Sequence, residues 1–110
     1  MTIQKDAGEI LLYIYKNYTE GISDCNNHKI TEDTKWESHR INNAMDYLYD
    51  LNILKMKKTM GNTNGVYNFF IYGINPEGIN MVEDQQEFKR RFGFTVNLGF
   101  ISYSWGAEER

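Results

Sequence analysis

The sequence of 110 residues has one cysteine, one proline and fewer cationic than anionic side chains, 12 Lys and Arg against 15 Asp and Glu. Because Cys25 has no second cysteine to pair with, an internal disulfide is excluded and a reducing compartment is expected. No apolar run approaches the ~20 residues that a bilayer-spanning helix needs, and residues 1–6 lack the apolar core of a signal peptide. These absences predict a cytoplasmic protein with no membrane partner.

Positive charge is also scarce overall. The net charge is −3 and the pI is about 5.3, whereas a protein held to nucleic acid by its overall field is expected to be basic. Any affinity for DNA must therefore come from a local patch. Aromatic residues, in contrast, make up 15% of the chain, which is too much bulky apolar surface for a disordered chain and predicts a packed core.

Residues with catalytic or metal-binding chemistry are few and scattered. His28 and His39 have no partner at a recognised spacing, and Cys25 with His28 lacks the second pair that a zinc site requires. Asp46 and Asp50 share one helix face but have no third ligand nearby. No glycine-rich loop of a nucleotide-binding type is present. The sequence predicts no enzyme activity, no cofactor and no metal.

Hydrophobic periodicity and turn residues divide the chain into a series of short elements. The first helix is predicted over Ile3–Tyr18 and is followed by a polar loop, Glu20–Lys29. Two more helices are predicted next: a short one over Thr31–Trp36, capped by Thr31 or, with a slightly later start, by Thr34, and a longer one over Ser38–Leu51, capped by Ser38 and ended by Asn52. Strands Ile53–Lys58 and Val66–Ile74 are predicted on either side of a turn at 61–65. The last elements are a helix from Pro76 to about Phe92 and a strand Gly93–Trp105, kinked near Gly99.

This order resembles that of the winged helix-turn-helix proteins, small archaeal or bacterial regulators of the MarR-like or PadR-like kind. The likeness is carried by the run from Ile30 to Leu54 and by the step Ile74-Asn75-Pro76-Glu77-Gly78-Ile79 into the last helix, and it covers residues 3–92. It implies an α+β fold, with a helical core and a two-stranded wing over residues 1–92. Residues 93–110 lie outside that common core, and their alternating pattern predicts a strand-like extension that packs on the domain or forms a dimer contact. It also implies that the third helix enters the major groove while the hairpin contacts the backbone or minor groove.

On that plan, nine polar side chains form the predicted DNA site. His39, Arg40, Asn42 and Asn43 project from the start of the third helix and would read base edges, since Arg and Asn bind guanine and adenine bidentately. The predicted phosphate contacts are Ser38, Lys35, Lys55, Lys57 and Lys58. Two alternatives stay open: the helix residues are an ordinary solvated face, and the hairpin lysines only protect a strand edge from aggregation.

The surplus of aromatic residues on the first helix and in the extension suggests a second contact surface. A homodimer interface is predicted, because regulators of this kind often pair to read two half-sites. Its predicted residues are Leu12, Tyr13, Tyr15, Phe100, Tyr103 and Trp105. The alternative is that the extension packs on its own domain and covers the first helix, and a ligand pocket lined by some of the same aromatics is a further possibility.

Together these patterns predict a transcriptional regulator that binds double-stranded DNA as a homodimer. The alternative is a protein-interaction module on the same scaffold that does not bind DNA. The two differ in surface charge. DNA binding predicts a positive face across the third helix and the hairpin, whereas an interaction module predicts a mixed or negative face there and an exposed aromatic patch elsewhere.

Overall fold

The computed structural model describes residues 2–22 and 25–96, which form an α+β unit and confirm the predicted fold class at that level. Within these ranges the chain has five helices and a three-stranded antiparallel sheet of strand order β1-β3-β2. The elements are α1 (Ile3–Thr19), β1 (Cys25–Asn26), α2 (Asn27–Thr34), α3 (Ser38–Leu51), β2 (Leu54–Thr63), β3 (Val66–Ile74), α4 (Pro76–Glu83) and α5 (Gln85–Phe92).

The core lies between α1, α3 and the inner face of the sheet. The apolar positions of α3 repeat every three or four residues, so they fall on one face of the helix. Ile41, Ala44, Met45 and Leu48 are buried on this face, and Leu51 is partly buried. The helix ends at Asn52, whose φ of 56° places it in the left-handed region that terminates helices. This confirms Asn52 as the predicted terminator of α3.

The second helix begins earlier than predicted. Asn26 is its N-cap, since the Asn26 side-chain oxygen accepts a hydrogen bond of 3.0 Å from the backbone N–H of Lys29. Thr31 therefore does not cap α2; its hydroxyl donates to the carbonyl of Asn27 at 2.7 Å from within the helix. The error arose because Asn and Thr are both good caps and the Asn-rich stretch is equally typical of a loop.

The hairpin has a tighter turn and a longer first strand than predicted. The turn consists of Asn64 and Gly65, with φ of 54° and 88°, and positive φ at both positions is what a two-residue hairpin turn requires. The interval 61–65 was therefore too wide, because Gly61 lies within β2 near a register irregularity between Lys58 and Asn62. The bounds predicted for β3, Val66–Ile74, are confirmed.

The last predicted helix is two helices, broken at Asp84. Asp84 has φ −98° and ψ 103°, outside the helical region, and its carboxylate accepts 3.1 Å hydrogen bonds from the backbone N–H groups of Gln86 and Glu87. It thus ends α4 and caps α5. The compact unit also continues past the predicted boundary at Phe92, since Phe94 packs edge-on against Phe88 at 5.1 Å between ring centres and Val96 is buried.

Candidate nucleic-acid interface

The start of α3 and the tip of the hairpin are joined by one side chain, Asn42. Its Nδ2 donates to the carbonyl of Gly65 at 2.9 Å, and its Oδ1 accepts from the backbone N–H of Tyr67 at 3.0 Å. Ser38 lies against the same turn, because a Cβ atom on Gly65 would fall 2.9 Å from the Ser38 Oγ. The start of α3 and the hairpin tip therefore form one rigid surface, and the Asn42 amide uses its hydrogen bonds to join them.

Ser38 is the first residue of α3 rather than its cap. Glu37 occupies the N-cap position, with extended backbone angles and no side-chain capping bond. Ser38 is half-buried against the hairpin turn. The prediction of Ser38 as the cap is corrected by one residue.

Arg40 faces α1, on the flank of α3 opposite the hairpin. Its Nε and Nη2 donate to the two carboxylate oxygens of Asp6 at 2.8 and 3.0 Å, and its guanidinium lies 3.9 Å from the centre of the Trp36 ring. Asp6 is only 4% exposed. Through these contacts Arg40 holds α1 and α3 together. This argues against the prediction that its side chain contacts DNA bases.

Two of the predicted base readers, His39 and Asn43, do project outward. Both are exposed, and His39 Nδ1 lies 3.4 Å from a carboxylate oxygen of Glu37. With Lys35 they line an open cavity of about 510 Å³ at the start of α3. The other lining residues are Thr2, Ile3, Asp6, Thr34, Trp36, Glu37 and Arg40.

The three lysines of β2 do not share a face. Lys58 turns toward α3, where its Nζ lies 3.5 Å from the Asp46 Oδ1 and 4.2 Å from the centre of the Tyr49 ring. Lys57 is paired with exposed Phe70, and paired residues of an antiparallel ladder point to the same side. Lys57 therefore lies on the sheet face turned away from α3, together with Lys55 two residues earlier.

The winged-helix plan predicts that five cations meet on one face, namely Lys35, Arg40, Lys55, Lys57 and Lys58. This prediction is wrong. Arg40 points toward α1 on one flank of α3, and Lys58 approaches the other flank from the hairpin. Along the outward side of α3, His39 and Asn43 are followed by Asp46 and Asp50. The result is a mixed surface, polar with charges of both signs at the start of α3 and acidic toward its end.

Two residues predicted for the dimer interface are already covered within one chain. Leu12 and Tyr13 are buried, and the Tyr13 hydroxyl donates to the Asp33 carboxylate; burial and this bond raise the pKa of Tyr13. Tyr15 is half-buried and donates to Glu83 at 2.6 Å, a bond that, with partial burial, raises the pKa of Tyr15 to about 12. Leu12 and Tyr13 are thereby removed as contact residues for a second copy.

The rest of the predicted dimer surface, Phe100, Tyr103 and Trp105, lies outside the described residues, as does most of the predicted strand Gly93–Trp105. The predicted homodimer stays a prediction.

Sequence reasoning missed Asp6 and the exposed aromatic pair of β3. Nothing in the linear sequence pairs Asp6 with Arg40, which lies 34 residues away. Phe70 and Tyr72 did carry a signal, since both alternate with buried Phe69 and Ile71. A strand that is bulky and apolar on both faces has a second surface to account for.

The described residues give no sign of a membrane span or a clustered metal site. None of the helices in the two described ranges combines the length and apolar character needed to cross a bilayer. In those same ranges, no three His, Cys, Asp or Glu side chains are grouped to hold a metal ion. Comparisons with protein-family models, curated proteins and solved structures found no match.

Proposed function

We propose that the chain is a DNA-binding transcriptional regulator of the winged helix-turn-helix type. The observation that carries this proposal is the Asn42 bridge, which holds the hairpin tip against the start of α3 with bonds of 2.9 and 3.0 Å. A duplex approaching this end of the molecule would meet the helix and the hairpin as one preformed surface. Such preorganisation lowers the ordering cost of binding.

The contacts in this proposal are fewer than the nine predicted from the sequence. His39 and Asn43 remain for base edges, and Lys35 and Lys58 for phosphates. Ser38, the first residue of α3, lies beside the hairpin tip and is a further candidate for a contact with the phosphate backbone of DNA. Arg40 and Asn42 support this surface from within, and the acidic end of α3 limits contact to its first turns.

The proposal is tested by binding of a fluorescein-labelled duplex of mixed sequence, followed by anisotropy over a range of salt concentrations. The logarithm of the association constant should fall linearly with the logarithm of the salt concentration. Lys35→Glu should weaken binding of all sequences and reduce the slope by about 1. Lys89→Glu, an equal charge change at an exposed position of α5, is the matched control and should leave the affinity and the slope nearly unchanged.

Two results would refute DNA binding through this surface. One is no salt-dependent binding at low ionic strength. The other is equal weakening by Lys35→Glu and Lys89→Glu, since that would show only a response to net charge.

The second candidate is a protein-interaction module, and two observations match what was expected of it: a mixed charge across α3 and the hairpin, and exposed aromatic rings elsewhere, at Phe70 and Tyr72. Exposed Asp50 and partly exposed Asp46 lie on the outward side of α3, next to Tyr49, which is 47% exposed. A cationic or aromatic protein surface would complement this region better than phosphate. In the same titration this candidate predicts no duplex binding by the unmodified chain.

A further inference from the structure

The sheet has an outer face, turned away from α3, that carries two exposed aromatic rings and two lysines. Phe70 is 39% and Tyr72 is 54% exposed. Their ring centres are 6.3 Å apart and their planes are inclined by 18°. Lys57 is paired with Phe70, and Lys55 with Gly73. A register shift between Lys55 and Met56 leaves Tyr72 as an extra residue of β3 opposite Lys55, so the alternation along β2 still places Lys55 on the side of Lys57. We call Phe70, Tyr72, Lys55 and Lys57 the outer sheet face.

Charge is segregated onto this sheet. Its three strands contain three lysines and no Asp or Glu, in a chain whose net charge is −3. Lys55 and Lys57 are exposed, and neither has an acidic partner within ion-pair distance among residues 2–22 and 25–96. The outer sheet face is therefore a cationic, aromatic surface on an acidic protein.

Parallel rings and unpaired cations together complement a ligand with flat rings on an anionic backbone. Single-stranded nucleic acid has this chemistry, because its bases stack on aromatic side chains while lysines follow its phosphates. A duplex does not, since its paired bases hide their faces within the stack. We propose that the outer sheet face binds single-stranded nucleic acid, with bases on Phe70 and Tyr72 and phosphates at Lys55 and Lys57.

Two other occupants fit less well. A second copy of the chain packed face to face would bring Lys55 and Lys57 near their own equivalents, with no carboxylate on the sheet to compensate. A proline-rich peptide could use the aromatic rings but gives the two lysines no partner. The charge of the face therefore favours a polyanion.

This site is independent of the surface proposed for duplex DNA. Lys58, from the inner side of β2, reaches α3, whereas Lys57 and Phe70 point to the opposite side of the sheet. Variants of the outer sheet face should therefore change binding of single strands and leave binding of a duplex unchanged. The two proposals can fail separately.

The experiment measures anisotropy of fluorescein-labelled 20-mers of oligo(dT) and oligo(rU) with the full chain. The double variant Phe70→Ala/Tyr72→Ala should weaken binding about tenfold or more, since each base–aromatic stack contributes substantially to affinity. The conservative pair Phe70→Tyr/Tyr72→Phe should retain it. Tyr18→Ala, which removes a tyrosine of 41% exposure from α1, is the matched control and should have no effect.

A second arm tests the charge. Lys55→Glu/Lys57→Glu should weaken binding and flatten its salt dependence, and Lys89→Glu should not. Comparing oligo(dT) with oligo(rU) shows whether DNA or RNA is preferred. If circular dichroism shows that the double aromatic variant is unfolded, the single variant Tyr72→Ala at the more exposed position provides the test.

The proposal is overturned if neither oligonucleotide binds at low salt, or if the aromatic variants bind as well as the unmodified chain. It is also overturned if the outer sheet face instead binds a proline-rich decapeptide with no effect of Lys55→Glu/Lys57→Glu. Self-association in sedimentation equilibrium that is abolished by Phe70→Ala/Tyr72→Ala would assign the face to a second copy.

Discussion

The guanidinium of Arg40 binds both carboxylate oxygens of Asp6, joining the first turn of α1 to the first turn of α3. The bonds of 2.8 and 3.0 Å form the paired geometry in which an arginine meets a carboxylate most strongly. Trp36 covers the guanidinium at 3.9 Å, which limits the access of water. The arginine that the sequence offered as a base reader thus fixes the orientation of the helix that carries the candidate site.

Arg40→Ala should destabilise the fold by about 3 kcal/mol, because removing one partner of a buried pair leaves the other charge without compensation. The stability of Arg40→Lys should lie between that of the unmodified chain and that of Arg40→Ala, since lysine keeps the charge but loses the paired geometry. The free energy of unfolding from urea titrations at pH 7 measures both. The matched control is Arg90→Ala. The Arg90 side chain is 75% exposed and pairs with Glu87 of the same helix, so its loss should cost no more than ~1 kcal/mol.

A structural role for Arg40 is contradicted if Arg40→Ala and Arg90→Ala cost the same. The interpretation also requires that Asp6→Asn be destabilising in the Arg40 background and much less so in Arg40→Ala. Such coupling between the two positions is what a double-mutant cycle measures.

Asn42 and its neighbour Asn43 provide a matched pair for testing the link between helix and hairpin. Asn42→Ala removes the bonds to Gly65 and Tyr67 and should cost about 1 kcal/mol, with faster hydrogen exchange at the Tyr67 amide. Asn43 is exposed and has no hydrogen bond among the described residues, so Asn43→Ala should leave stability and exchange unchanged. Equal exchange at Tyr67 in the two variants would show that the hairpin tip is held by other contacts.

Under the proposed function, the order of the two variants should be reversed for duplex affinity: Asn43→Ala should weaken binding more than Asn42→Ala. Asn43→Ala removes a base contact directly, whereas Asn42→Ala acts only by loosening the hairpin. The stability measurement and the binding measurement therefore separate the two asparagines by role.

Elements whose limits are set by local chemistry were predictable from the sequence. The apolar period of α3, the left-handed Asn52 and the alternation of β3 each depend on neighbouring residues, and each was predicted within a residue or two. The start of α2 and the break at Asp84 were not, because several residues nearby could cap a helix. The choice of Asn26 and Asp84 depends on how the chain packs.

The candidate site was less predictable than the fold, because the direction of a long side chain is a tertiary property. Arg40 and Asn42 lie two positions apart on one helix, which places them on opposite flanks. One side chain meets α1 and the other meets the hairpin. Lys57 and Lys58 are adjacent in a strand and therefore necessarily on opposite faces, so strand alternation alone already argued against one lysine cluster.

Cys25 should make stability depend on alkaline pH. Burial is the main cause that raises the pKa of its thiol from 9.0 to about 12, with a smaller contribution from Asp33. Because the folded state holds the proton more tightly than the unfolded state, this contribution is complete below pH 9 and is lost as the pH rises from 9 to about 12. In urea titrations, the free energy of unfolding should fall less between pH 8 and pH 11 for Cys25→Ala than for the unmodified chain.

The burial of Cys25 also predicts that its thiol reacts slowly with alkylating reagents. The thiolate is the reactive form, so iodoacetamide at pH 8 should label folded Cys25 far more slowly than the guanidinium-unfolded chain. Rapid labelling of the folded chain would contradict both the burial and the raised pKa.

Gly8 tests whether the residues that follow α5 belong to the core. A Cβ at this position would lie 2.7 Å from the Phe92 Cβ and 2.8 Å from the Phe94 Cε1. Gly8→Ala should therefore destabilise by about 1–3 kcal/mol, despite the ~1 kcal/mol by which alanine favours a helix over glycine. Gly73→Ala is the control, because its Cβ would meet only the flexible stem of Lys55 at 3.1 Å. In thermal unfolding, Gly8→Ala combined with Phe94→Ala should cost less than the sum of the two single changes, since Phe94→Ala removes one of the clashes. Strict additivity would mean that residues 93–96 do not pack on α1.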